Sequence, residues 1–276
     1  MSTPRSYVRF AALGDSVTYG LGDRASERSR GWARLLCEAI ARDHHVSFCN
    51  LAHPGATAGD ARSMQLSEAL DHSPHLASLI IGLNDTMRST WDSAAVRADL
   101  LHAASRLAEQ GTLLLTVRFH DHSRVFGLPG RLARPLRQRI DELNATYDEI
   151  HRLHGGLQVD LASHPGVYDR EFWSIDRLHP SELGHRALAH EFSALLSQHG
   201  LAFDPPALDL DGDPTTRLGE LRTLAVEAAP WVARRVRDLA PSLGRKALQA
   251  ALRRPHSSRG KVMKGDLVQV VRGGHP

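Results

Sequence analysis

Five apolar runs recur in the first 162 residues, and none of them alternates polar with apolar positions: VRFAALG (8–14), HVSFCNLA (45–52), HLASLIIG (75–82), TLLLTVR (112–118) and GLQVDLA (156–162). A strand wetted on one face alternates with a period of two, whereas a strand covered on both faces stays apolar along its length. Between the runs lie segments of helical period: GWARLLCEAIARD (31–43), DARSMQLSEALDH (60–72), DSAAVRADLLHAASRLAEQ (92–110) and RPLRQRIDELNATYDEIHRLHG (134–155). In the third, Ala95, Leu100, Leu101, Ala104, Leu107 and Ala108 largely share one face. A last helix is expected from about Ser181 to Gln198. Strand–helix alternation of this kind predicts a doubly wound α/β domain, three layers deep (α/β/α), on a five-stranded parallel sheet.

The domain is expected to span residues 1–200, with a linker and a basic helical C-terminal extension over 201–276. The boundary is placed near Gly200, where HGLAFDPPALDLDGDP is rich in proline and acid. Beyond it, two or three amphipathic helices broken at Pro230 and Pro241 are expected. A late strand at Leu267–Val271 or a flexible tail would follow. Charge divides a little further on, past the acidic stretch. Residues 217–276 carry 13 Lys and Arg against 4 Asp and Glu, while residues 1–216 carry 21 against 27. The basic tail suits weak contact with an anionic surface, but its single aromatic, Trp231, argues against sequence-specific nucleic-acid reading.

With 42% hydrophobic and 24% charged residues the chain reads as globular, and no run of eighteen apolar residues suggests a membrane span. The first residues, MSTPRSYVRF, hold no apolar signal core. Cys37 and Cys49 are too few for a disulfide framework, so a reduced, cytoplasmic setting is expected.

Chemistry-bearing residues gather at the ends of the expected strands. The first ends in Gly14-Asp15-Ser16, the second runs into Pro54-Gly55, and the third ends in Gly82-Leu83-Asn84-Asp85. A fourth signal, Asp176-Arg177-Leu178-His179, precedes the last helix. Turn and cap chemistry explains each singly, since Gly, Asp, Ser and Asn are ordinary turn formers. Ligands of open α/β sheets, however, sit beyond the carboxyl ends of the strands. In chain order the four signals supply a nucleophile, a close-approach glycine, an amide donor, an acid and a base.

These four blocks resemble those of the SGNH hydrolases, the GDSL esterase/lipase superfamily, over residues 7–198. The resemblance implies a flavodoxin-like sheet and a carboxylic ester hydrolase that needs no cofactor and no metal. Ser16 is then the nucleophile, His179 the base, and Asp176 the acid that orients it, on the expectation that i and i+3 share a face in a helical turn. The oxyanion hole implied by the resemblance comprises the backbone N–H groups of Ser16 and Gly55 and the side-chain amide of Asn84. Asp15 and Asp85 are expected to shape their loops by accepting backbone hydrogen bonds. Leu83, Thr18, Tyr19, Arg88 and Trp173 stand near these blocks as candidate walls of the cleft. The extension resembles the basic helical extensions of some actinobacterial members.

The expected substrate is a small-molecule ester: an O-acyl group on a metabolite, sugar or lipid. An acyltransferase or thioesterase would use the same residues. A binding module whose tail engages nucleic acid or an anionic membrane is the reading from a different class. His53, His120, His122 and His185 lack ligand-pair spacing, and the HDH at 120–122 alone is a poor metal signal. Asp209, Asp211, Asp213 and Glu220 match some positions of a calcium loop, but Pro214 stands where it needs glycine.

Overall fold

A computed structural model of the chain describes residues 5–23 and 30–211. The helices and late strand expected beyond residue 216 lie outside the described residues. The order is β1 (Tyr7–Gly14), α1 (Ser16–Tyr19), α2 (Gly31–Asp43), β2 (His45–Asn50), α3 (Ala58–Asp60), a π-helical turn (Ala61–Gln65) and α4 (Leu66–Asp71). There follow β3 (Leu76–Ile80), α5 (Leu83–Thr86), α6 (Ser93–Glu109), β4 (Leu113–Arg118), α7 (His122–Val125) and α8 (Gly130–His154). β5 (Leu157–Asp160), a 3-10 turn (Arg170–Phe172) and α9 (Glu182–Gln198) complete it.

All five strands pair in parallel in the order β2-β1-β3-β4-β5. β3 is buried along its whole length, as a continuous apolar run requires, whereas the edge strands β2 and β5 are half-buried. Helices α2 and α9 pack together, with Trp32 against Phe192 at 5.0 Å between ring centroids. Helices α6 and α8 form the second such pair and both contact β4. The core runs through both interfaces, from Phe10, Leu36 and Ile40 to Leu100, Leu107 and Leu143.

Two expected helices differ in form. The 60–72 segment is not one helix but α3, a π-helical turn and α4 in succession. The 134–155 helix begins earlier, at Gly130, and carries Pro135 inside it. The π turn has a consequence for the sheet. It delivers the buried Gln65 side chain to Gly14, accepting from its N–H and donating to its carbonyl, both at 2.9 Å. Gly14 lies two residues beyond Ala12, the last β1 residue paired with β2.

The same device recurs where β3 and β4 part after Ser78 and Leu115. Tyr147 of α8 uses its hydroxyl to accept from Ile81 N–H at 3.0 Å and donate to Ile81 O at 2.7 Å. Asn144, one turn earlier, satisfies both backbone groups of Phe119 at 2.7 and 2.8 Å. Unpaired buried backbone groups are costly, so strands can splay open only where side chains replace the missing neighbour. Here that replacement holds open the carboxyl ends of β1, β3 and β4.

Candidate active site

The strand order reverses direction between β1 and β3, and the two loops leaving those strands open a crevice between them. Ser16 stands at the end of β1 and Asn84 just past β3. Asp15 ends the strand in extended conformation, and its Oδ1 accepts from Val17 N–H at 3.0 Å, capping the single turn α1. The cap turns the chain sharply enough that Ser16 opens a helix at the mouth of the crevice. Its own N–H, at the first helical position, has no intrahelical acceptor.

The base arrives from the other end of the chain. Residues 174–179 form a closed loop: Ser174 N–H donates to His179 O at 2.9 Å, and Trp173 and Pro180 make an isolated antiparallel bridge beneath it. The helical turn expected to bring Asp176 and His179 together is absent, since α9 begins only at Glu182, behind the Ser181 cap. Asp176 instead folds the loop around itself. Its Oδ1 accepts from Ser174 Oγ at 2.6 Å, Leu178 N–H at 2.9 Å and His179 N–H at 3.0 Å. An aspartate offering the backbone such a turn competes directly with helix. Arg177, at the apex, takes φ +54°.

Oδ2 of Asp176 is left for the imidazole. His179 Nδ1–H donates to it at 2.7 Å, which leaves Nε2 to accept from Ser16 Oγ at 2.9 Å. Burial alone would raise the Asp176 carboxyl, but the His179 ring, the Ser174 hydroxyl and the His179 N–H hold it well below the usual carboxylate range. Gly22 lets the loop after α1 close over this pair. It has φ +100°, and a Cβ there would meet Pro180 O at 2.0 Å and His179 Cβ at 3.1 Å.

Gly55 and Asn84 flank the serine side of the crevice. Gly55 has φ +81°, and a Cβ there would meet nothing within 4 Å. Glycine is therefore required at 55 by backbone conformation, with open space above it. Arg88 Nη2 donates to Gly55 O at 2.8 Å and so braces this loop. Asn84 Nδ2 donates to Ala56 O at 3.1 Å and lies 3.4 Å from Asp15 Oδ2, so the second contact is long.

Asp85 accepts from Ala58 N–H at 3.2 Å, tying the β3 loop to the Gly55 loop as expected of a loop-shaping residue. Burial pushes both Asp15 and Asp85 up to about 6 despite their backbone donors.

Of the other residues near the four motifs, Leu83 and Thr18 are buried, while Tyr19, at the end of α1, is exposed. Trp173 is buried, donates from Nε1 to Val167 O, and packs against His120 and His122. Among the described residues no group of three or more His, Cys, Asp or Glu is placed to hold a metal ion. Gln65, Asn144 and Tyr147 carry no sequence signal of their roles, because an isolated polar residue on a helix looks the same whether it faces water or a strand end.

Comparison with known proteins bears on the family and the fold. A model of the GDSL-like lipase/acylhydrolase family matches residues 12–187. No curated protein matches the chain. Among solved structures, a lipase/acylhydrolase from Enterococcus faecalis superposes with a TM-score of 0.56 at 23% identity, covering 72% of this chain and 99% of that one. TesA gives 0.56 at 19% identity, covering 70% and 99%. Axe2, an acetylxylan esterase from Geobacillus stearothermophilus, gives 0.56 at 18% identity, covering 72% and 96%. At these identities the structural likenesses establish the fold.

Proposed function

The chain belongs to the GDSL-like lipase/acylhydrolase family, and from that premise we propose that it cleaves a carboxylic ester of a small metabolite, sugar or lipid through Ser16, His179 and Asp176. One observation carries the reading: Ser16 Oγ, His179 Nε2, His179 Nδ1 and Asp176 Oδ2 form an unbroken hydrogen-bonded line, with steps of 2.9 and 2.7 Å across the two gaps.

A serine hydroxyl attacks an ester carbonyl only when a base removes its proton. His179 Nε2 takes that proton as the Oγ–carbonyl bond forms. Asp176 fixes the tautomer that leaves Nε2 bare and stabilises the imidazolium by its charge. The carbonyl oxygen becomes an anion, received by Ser16 N–H, Gly55 N–H and the Asn84 amide. The Asn84 hydrogen not given to Ala56 is only loosely engaged by Asp15 at 3.4 Å, and so is the one to turn to the oxyanion. The imidazolium then protonates the departing alkoxide, leaving an acyl group on Ser16. Water, deprotonated by the same Nε2, attacks that acyl-enzyme and restores the serine.

Replacement Ser16→Ala removes the nucleophile and leaves the donors. Turnover of a short-chain chromogenic ester is expected to vanish while the circular dichroism spectrum stays that of the parent. Retained turnover in that variant refutes the mechanism.

A further inference from the structure

We propose that His122 is a positioning residue for this site: its Nε2–H holds the carbonyl of Arg177 and so fixes the Asp176–His179 loop against Ser16. The inference rests on the catalytic reading of that loop given above.

The loop's base is secured twice, by the Ser174–His179 backbone bond and by the Trp173–Pro180 bridge. Its apex is closed within the loop by Arg177 N–H, which donates to Ser174 O at 3.0 Å, and depends on other contacts for its hold on the rest of the domain. Arg177 sits there in the left-handed region, which a side chain other than glycine disfavours. Its guanidinium reaches Val125 O only at 3.4 Å. The firmer tie to residues outside the loop is at the backbone, where His122 Nε2–H donates to Arg177 O at 3.0 Å. Asp176 is the residue immediately before Arg177, and His179 follows two residues on, so the grip on this carbonyl is a grip on both partners of the serine.

His122 can serve in this way because its ring has no freedom. It is fully buried. Trp173 meets it edge-on at 5.0 Å and 89°, and Phe126 at 4.5 Å and 79°. With Nε2–H committed to Arg177, Nδ1 must accept, and His120 Nε2–H donates to it at 2.8 Å. His120 in turn packs on Trp173 at 4.8 Å, the same tryptophan whose backbone closes the base of the loop.

The HDH pair is thus one rigid prop reaching apex and base together. Burial pushes His122 down to about 4, outweighing the Arg177 carbonyl, with His179 adding to the fall and Asp176 and Asp121 opposing it. The ring is therefore neutral at neutral pH and acts through its hydrogen bond.

Two substitutions separate the two bonds. In His122→Asn the amide oxygen replaces Nδ1 as acceptor for His120, but nothing reaches Arg177. In His122→Gln the longer side chain carries an N–H near the place of Nε2. For an ester hydrolysed by the parent, His122→Asn is expected to lower kcat about tenfold to a hundredfold, with KM changed less than about twofold, because misplacement by an ångström is felt in the reacting geometry. His122→Gln is expected to recover most of that loss, with both variants melting well above the assay temperature.

A parent-like kcat in the Asn variant overturns the proposal, as does a Gln variant that melts like the Asn variant and is equally slow. In the unmodified protein, 15N chemical shifts should report His122 as the Nε2–H tautomer. The Nδ1–H tautomer overturns the proposal without any variant. An unreactive Ser16 in the parent removes the catalytic reading and this one with it. A reactive parent with an indifferent Asn variant removes this one alone.

Discussion

Ser16, Asp176, His179 and Asn84 differ in what the surrounding chain does to each. Ser16 receives its place from a cap one residue earlier, Asp176 from a loop that it organises itself, and His179 its tautomer from Asp176. Asn84 is held by one firm and one long bond, which leaves it a donor able to strengthen as negative charge develops. Such a donor acts mainly in the transition state. Replacement Asn84→Ala is therefore expected to lower kcat by about a hundredfold to a thousandfold with a much smaller change in KM, measured by steady-state kinetics on a chromogenic ester. A loss confined to KM contradicts the assignment.

Residue by residue, the strand-end polar groups were legible because turns expose their chemistry in short contiguous motifs. The supports were not. Gln65 reaches Gly14 from the end of a π-helical turn, and a turn of that form leaves no mark in the periodicity of the sequence.

At the scale of elements, His185 shows how the helices hold the crevice. It is buried in α9, accepts from Trp32 N–H at the start of α2 at 3.2 Å, and donates from Nε2 to Leu21 O, just after α1, at 2.9 Å. One ring thereby joins three segments around the nucleophile turn. Burial lowers its pKa from 6.5 to about 4, against the pull of the Leu21 carbonyl and Asp23.

An unfolded chain binds a proton at this histidine between those values and the folded chain does not. Its contribution to stability is therefore complete above about 6.5 and lost as pH falls towards 4. Asp15 and Asp85, raised to about 6, act in the opposite sense over much of that window, since their folded forms keep the proton longer. The difference between parent and His185→Gln isolates the histidine. Melting temperatures from pH 7 to pH 4 should fall more steeply for the parent, and parallel curves contradict the assignment.

The elements themselves were legible to within a few residues, because strands buried on both faces leave continuous apolar runs. Two things were not. The loop at 174–179 reads as a helix start, since Asp-x-x-His has helical spacing, and only the three donors gathered by Asp176 Oδ1 explain why it is a turn. The partial exposure of β2 and β5 follows from their place at the sheet edges, which composition does not encode.

Over the whole molecule, the strand order sets the chemistry, because reversal between β1 and β3 is what brings residue 16 beside residue 84. The acidic segment after Gly200, expected as a linker, touches the body at several points along its described residues. His44 donates to Ala202 O at 3.0 Å, Phe203 is buried, and Arg186 donates to Ala207 O at 2.7 Å. Asp211 then accepts from Arg30 at 2.9 Å and from Arg186 at 2.6 Å. Its acidity is counter-charge for two arginines at the α2 and α9 starts, a pairing that sequence separation hides.

On the proposed mechanism the whole fold serves the Ser16 hydroxyl, and covalent labelling tests that oxygen directly. After treatment with a fluorophosphonate and peptide mapping by mass spectrometry, the account predicts a single adduct on Ser16, formed far more slowly in His179→Ala. An unmodified Ser16 in the folded parent protein, or labelling at the same rate without His179, contradicts it.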